Sequence, residues 1–231
     1  MTRSPTAGTV APGAVRLAIV PVVLALPLAL VAPLAVPVVA LLGAGAVVLF
    51  HRDPDRDPPT DGVLAPADGR ISVVREEADG RLRVGTFMSP LDVHVNRAPV
   101  AGEIETVEHR PGAHRPAFSK DSERNERVHV RYAVDSGLET KDAGLETGDA
   151  GLEAGDGGLE VDLIAGAFAR RIHPYVEPGE AVTRGERIGH ISFGSRVDVV
   201  FPEGIDRSAL LVEKGDAVRA GETVLVDRSV V

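Results

Sequence analysis

The sequence predicts an all-β domain behind an apolar N-terminal anchor, on three observations. From Gly62 onward, short β-branched runs alternate with glycine turns at the spacing of strands. Outside the anchor, no stretch of three turns carries a 3.6-residue hydrophobic period. Two C-terminal segments, 176–186 and 212–222, share the pattern V-E-x-G-[ED]-A-V-x-x-G-E. Each reads as a tight glycine turn joining two strands, and the pair implies pseudo-twofold character. The expected class is a compact β-sandwich or barrel-sandwich hybrid with an N-terminal helical membrane anchor.

Residues 1–16 read as a disordered lead. Residues 17–50 contain no charge in 34 positions, more than the ~20 that span a bilayer as a helix. Prolines 21, 27, 33 and 37 interrupt the stretch, so a helical hairpin of two short spans is expected, with one long kinked span or a re-entrant element as the alternatives. Arg16 precedes it, and Arg52 and Arg56 follow it. Basic flanks on both sides favour ends that face the cytoplasm, which gives a cell-membrane location with the β domain on the cytoplasmic face. Residues 53–61 read as a Pro/Asp-rich joint that sets the height of the domain. A chain starting near Asp53 is therefore expected to fold by itself.

The domain proper is expected over 51–231. Its predicted strands are 70–76, 81–87, 102–108, 127–134, 159–164, 187–193, 197–201 and 223–226, with a hairpin turn at 78–80 between the first two. Short helical turns are expected near Pro90 and over 167–171. Residues 137–143, 144–150 and 151–157 repeat at seven residues, and 158–160 opens a fourth copy. One leucine per seven gives no second seam for a coiled coil, and glycine opposes helix. The region 136–158 is read as a flexible acidic insertion in a hairpin loop, without catalytic role.

Composition removes several functions. A net charge of −9 argues against nucleic acid as partner. With no cysteine there is no disulfide, thiolate metal site or cysteine nucleophile. The histidines outside position 94 (51, 109, 114, 129, 173 and 190) show no metal-ligand spacing, so no metal is assigned. Aromatic residues make up 3% of the chain, so the core must be built from Val, Ile, Leu and Ala.

Six short motifs follow in order: Phe50–Pro54 (FHRDP), Pro66–Gly69 (PADG), Ser89–Pro99 (SPLDVHVNRAP), Ser122–Arg127 (SERNER), Ile164–Arg171 (IAGAFARR) and Phe193–Asp198 (FGSRVD). Alone, Gly194-Ser195 or Ala67-Asp68-Gly69 is ordinary turn chemistry. Together and in this order they resemble the short-form phosphatidylserine decarboxylases, archaeal members included, over roughly residues 49–231.

That resemblance implies a proenzyme. Ser195 attacks the carbonyl of Gly194, the resulting ester eliminates, and the residue left at 195 hydrolyses to a pyruvoyl group. The chain thereby becomes two, 1–194 and 195–231. The pyruvoyl at Ser195 forms a Schiff base with the substrate amine and draws electrons as carbon dioxide leaves. The substrate is a membrane phospholipid, phosphatidylserine or its ether-linked archaetidylserine counterpart, and a homodimer is the family's tendency. His94 is the natural base, with Asp68 expected to orient its other ring nitrogen as in a Ser-His-Asp triad. Long-form members carry D-x-H-x-x-H, whereas this chain has Asp92, His94 and Arg97. Whether His94 serves cleavage, decarboxylation or both stays open. Arg196 is a candidate for the lipid phosphate or carboxylate, with a salt bridge to Asp198 as the alternative, and Asn125 for ordering a substrate loop.

Two rival functions follow from the residues alone. A serine lipase lacks its G-x-S-x-G elbow here. A non-catalytic membrane-tethered carrier or adaptor on the sandwich would leave PADG, His94 and Gly-Ser without a purpose.

Overall fold

The computed structural model describes residues 19–23, 35–116, 124–133, 158–167, 171–192 and 195–227. The N-terminal lead, residues 24–34 of the anchor, the heptad repeats, the expected helical turn over 168–170 and Gly194 lie outside them.

Residues 19–23 are helical, and Ala35–Phe50 forms helix α1. This helix has no charged residue, and of its side chains Pro37, Ala44 and Phe50 are buried. At 16 residues it is ~24 Å long. No helix among the described residues is long and apolar enough to cross a membrane.

Thirteen strands follow: β1 Val63–Leu64, β2 Gly69–Glu76, β3 Leu82–Met88, β4 Val95–Arg97, β5 Gly102–Arg110, β6 Arg127–Tyr132, β7 Glu160–Ile164, β8 Ile172–Pro174, β9 Ala181–Val182, β10 Arg187–Ile191, β11 Ser195–Val200, β12 Ala217–Val218 and β13 Val224–Val226. They build an eight-stranded sheet in the order β12-β2-β3-β11-β7-β6-β5-β9, a three-stranded sheet β4-β10-β8, and the pair β1-β13. Register shifts in β2 between Ile71 and Val73, and in β5 between Ile104 and Thr106, supply the local bends by which the large sheet curls. The eight longer predicted runs are all strands. Near Pro90 the chain makes a turn and no helix.

The echoed glycine turns occupy equivalent places. Gly179 donates its N–H to Ile104 O at 2.7 Å, and Gly215 donates to Ile71 O at 2.8 Å. Six residues further on, Gly185 donates to Ala98 O and Gly221 to Ala65 O, both at 2.9 Å. Each turn ends in a two-residue edge strand, β9 on β5 and β12 on β2. The sheet order reads alike from both ends, so the pseudo-twofold passes between β11 and β7. The shared core is Val, Ile, Leu and Ala, with Phe201 and Tyr132 as its aromatic members.

The 53–61 joint is not a free spacer. Asp53 is buried, and its carboxylate accepts from Arg97 Nη2 at 2.8 Å and from Arg187 Nε. Arg97 also donates to Pro54 O at 2.9 Å and Gly185 O at 3.0 Å. Arg56 holds Asp68 through two bonds of 2.9 and 3.0 Å. Phe50 and His51 are buried as well, so a chain starting near Asp53 would lose part of the domain's packing.

Asp53→Ala should therefore leave Arg97 and Arg187 facing each other without their anion. Urea unfolding should show a loss of about 3–5 kcal/mol, while exposed Asp55→Ala should stay within about 0.5 kcal/mol of wild type.

Candidate active site

Ser195 opens β11, and its place there follows from pairing on both sides. It lies directly opposite Met88 of β3, and the next residue pairs with Ile164 of β7. Strand side chains alternate, so Ser195, Val197 and Val199 face the core while Arg196 and Asp198 face the other way. Ser195 is fully buried, and its Oγ lies 4.0 Å from Met88 Sδ. The sequence placed it in a turn before a strand; the structure places it inside the strand.

Met88 links the serine to β4. Its sulfur accepts from Asn96 Nδ2 at 3.6 Å. His94 lies two residues before Asn96, immediately ahead of β4. The His94 ring is buried, and its Nδ1 is 2.9 Å from Asp92 O. A carbonyl accepts only, so Nδ1 carries the proton and Nε2 keeps its lone pair. That Nε2 is buried with no hydrogen-bond partner among the described residues, as are Asn96 Oδ1 and Thr86 Oγ1. Thr86 stands opposite Val197 on β3. Buried polar atoms are nearly always paired, so these three orphans mark a place suited to a group that forms hydrogen bonds. Thr86 Oγ1 can donate to a small carbonyl group at position 195, whereas His94 Nε2 and Asn96 Oδ1 are acceptors that suit a donor such as a hydroxyl or an amine.

Phe50 at the end of α1 covers the imidazole, with ring centroids 4.1 Å apart. Burial pushes the His94 pKa down to about 4, against the Asp92 carbonyl, with His51 and Arg52 adding to the depression. His190 on β10 behaves alike. It stacks on His173 at 4.6 Å, its Nδ1 is 2.6 Å from the Tyr175 hydroxyl, and burial followed by His173 and His51 brings it to about 4. Both rings are neutral at pH 7. Nothing in the spacing of His51, His173 and His190 had pointed to this cluster; β8 and β10, paired at His173 and His190, bring it together.

Other predicted residues fall elsewhere. Asp68 does not orient His94: it accepts from Arg56 and, at 2.8 Å, from Ala220 N. The PADG loop meets the 53–61 joint because Gly69 starts β2 at φ 142°, where a Cβ would stand 2.1 Å from Phe87 O. Arg196 forms the salt bridge: its Nε and Nη2 reach Asp198 Oδ1 and Oδ2 at 2.7 and 2.8 Å, on the face away from Ser195. Gly85 makes room for that carboxylate, since a Cβ there would lie 2.5 Å from Asp198 Oδ1. On the same face, burial pushes the Asp162 carboxyl up, yet His129 and Arg83 hold it well below the usual range. Asn125 orders a loop: its side chain bonds Arg115 N and O at 2.8 and 2.7 Å and Ala165 O at 2.7 Å. Arg97, standing where long forms have a second histidine, is the clamp on Asp53.

Known proteins are similar to this chain over most of its length. The sequence profile described as phosphatidylserine decarboxylase matches residues 44–226. A Halobacterium salinarum protein provisionally named archaetidylserine decarboxylase proenzyme is 55% identical over 188 residues, covering 81% of this chain and 84% of its own. The phosphatidylserine decarboxylase proenzyme of Thermobifida fusca is 50% identical, covering 83% and 77%. That of Streptomyces griseus is 46% identical, covering 83% and 78%.

Two measurements check this electrostatic picture. Phe50→Ala should let water reach His94, so its NMR titration midpoint should rise from about 4 toward the ordinary 6.5. His94 and His190 take up protons in the unfolded chain before they do in the folded one. Their contribution to stability is therefore whole above about pH 6.5 and is lost as pH falls toward about 4. Urea midpoints across that window should fall in wild type, and less steeply in His190→Gln.

Proposed function

This chain belongs to the phosphatidylserine decarboxylase family and is a carboxy-lyase of that type, and from that premise we propose that it is a self-cleaving, pyruvoyl-dependent enzyme of serine-headgroup lipids. The observation that carries the reading is the buried Ser195 hydroxyl beside strands with three unpartnered polar atoms, His94 Nε2 among them. In the proposed cleavage, Nε2 takes the hydroxyl proton as Oγ bonds to the Gly194 carbonyl carbon and the Gly194–Ser195 amide opens to an ester. Loss of the Cα proton and of the Cβ–O bond then frees chain 1–194 with a C-terminal carboxylate. Tautomerisation and addition of water release ammonia and leave the 195–231 chain ending in a pyruvoyl group.

That group would supply an electron-accepting carbonyl for decarboxylation. Residues of this chain do the rest. The Asp92 carbonyl holds the His94 tautomer, Phe50 keeps water from the ring, and a neutral imidazole stays ready to accept or return a proton near pH 7. Asp92, not Asp68, is the orienting group in this reading. A carrier or adaptor would have no use for buried polar atoms left without partners.

We place the β domain at a membrane surface, on its cytoplasmic face, with residues 17–50 as the anchor. Helix α1 exposes Val39, Leu42 and Leu49, and a helix apolar all round needs an apolar surrounding. Leu91 is 79% exposed in the loop that precedes His94, and its carbonyl accepts from Arg52 Nη2 at 2.6 Å. The loop and the helix end would enter the headgroup layer together. Both ester- and ether-linked lipids present the same serine headgroup there.

Wild-type protein should release carbon dioxide from phosphatidylserine in mixed micelles, and Ser195→Ala should release none. Activity of Ser195→Ala within tenfold of wild type would refute the proposal. Leu91→Asp should lower turnover on vesicles at least about threefold and affect turnover in micelles less; equal effects on both would remove the membrane role of Leu91.

A further inference from the structure

Arg196, the cation that the sequence offers for the substrate phosphate, is taken up by Asp198 on the face away from Ser195. The phosphate needs another partner on the serine's own face. A groove of about 410 Å³ opens between β5–β6 and β8, with Val107, Val128, Ile172 and Pro174 as its apolar floor and Arg171 at one end. We propose that this groove receives the lipid substrate, with Arg171 binding the phosphodiester and the apolar floor taking the first part of the hydrocarbon chains; this rests on the decarboxylase reading above.

Register connects the groove to the serine. Arg196, Ile164 and Arg127 form one cross-strand row on β11, β7 and β6. One residue further, the row is Ser195, Ala165 and Glu126, and the Ala165 N–H donates to Glu126 O at 2.9 Å. Glu126 and Val128 line the groove, and alternation puts them on the face of Ser195 and Val197. Two strand spacings separate Ser195 from Glu126, ~10 Å. The other wall leads to the same place. Ile172 pairs with Ile191, which sets Arg171 at the end of β10 from which the chain runs on to Ser195.

The dimensions and charges suit a phospholipid. In a serine headgroup, four bonds of ~1.5 Å separate the reacting nitrogen from phosphorus, so the phosphate must sit within ~6 Å of position 195, between it and Glu126, at the end of the groove to which Arg171 belongs. Arg171 is exposed and has no carboxylate partner among the described residues. A guanidinium matches a phosphodiester's paired oxygens. The groove's carboxylate, Glu126, faces His109 Nε2 at 2.8 Å and His114 Nε2 at 3.6 Å, so it does not compete for Arg171.

The test uses the full chain with two substrates, dihexanoyl phosphatidylserine in micelles and glycerophosphoserine, which keeps the phosphodiester but lacks the chains. Arg171→Gln should raise KM about tenfold on both while kcat falls less than about twofold, and Arg171→Lys should recover most of the loss. Val107→Asp should raise KM on the chain-bearing substrate and much less on glycerophosphoserine. A KM for Arg171→Gln equal to wild type overturns the proposal. If Arg171→Gln fails to fold, Val107→Asp decides: equal KM shifts on both substrates overturn the groove assignment, and a shift confined to the chain-bearing one supports it. A wild-type protein that releases no carbon dioxide from either substrate would mark failure of the decarboxylase reading itself.

Discussion

A single buried carboxylate holds this molecule in register. Asp53 is 3% exposed and sits between Arg97 of β4 and Arg187 of β10. These strands neighbour each other in the small sheet, and both serve the site: β4 follows directly on His94, and β10 leads to Ser195. Through Arg97 the same node reaches the Gly185 turn and the Pro54 carbonyl. Helix α1 ends three residues before Asp53, so the node also fixes Phe50 over the imidazole. A buried ion pair adds little net stability against an apolar substitute, but loss of one member leaves a bare charge. The interaction thus specifies geometry more than it stabilises the fold.

The chemistry depends on the period of the strand. Because side chains alternate, β11 puts a neutral, fully buried serine on the core face and a saturated Arg196–Asp198 pair on the other. The charges stay in one layer, with Arg83 bridging Asp198 and Asp162 at 3.2 and 2.7 Å. On the core face, Thr86 and Asn96 on the strands about the serine are uncharged, and the carboxylate of Glu126 lies two strands away. A lone-pair nitrogen in that setting stays unprotonated at pH 7, because burial lowers its pKa.

Much of this was legible in the sequence, and the limits are physical. The V-E-x-G echoes gave the pseudo-twofold because each glycine N–H caps an equivalent strand. The long runs announced themselves by β-branched residues. Two- and three-residue strands such as β1, β4, β8, β9 and β12 are too short to carry a period; partners distant in the chain define them. Ser195 and His94 were singled out by motif order, and the structure buries both. Asp68 was expected beside His94 but bonds Arg56 and Ala220, because turn chemistry says nothing of tertiary partners and Arg56 lay in a segment that read as a spacer. The histidine cluster and the Arg171 groove had no signal in spacing, since cross-strand pairing alone assembles them.

The central claim is that Ser195 turns upon its own chain, and the mass of the purified protein tests it most directly. Denaturing mass spectrometry should find two polypeptides in place of 231 residues. One should end at Gly194, and the other should span 195–231 without a free amino terminus, lighter than its serine form by the mass of one ammonia. A single intact chain from a preparation that decarboxylates lipid would contradict the account.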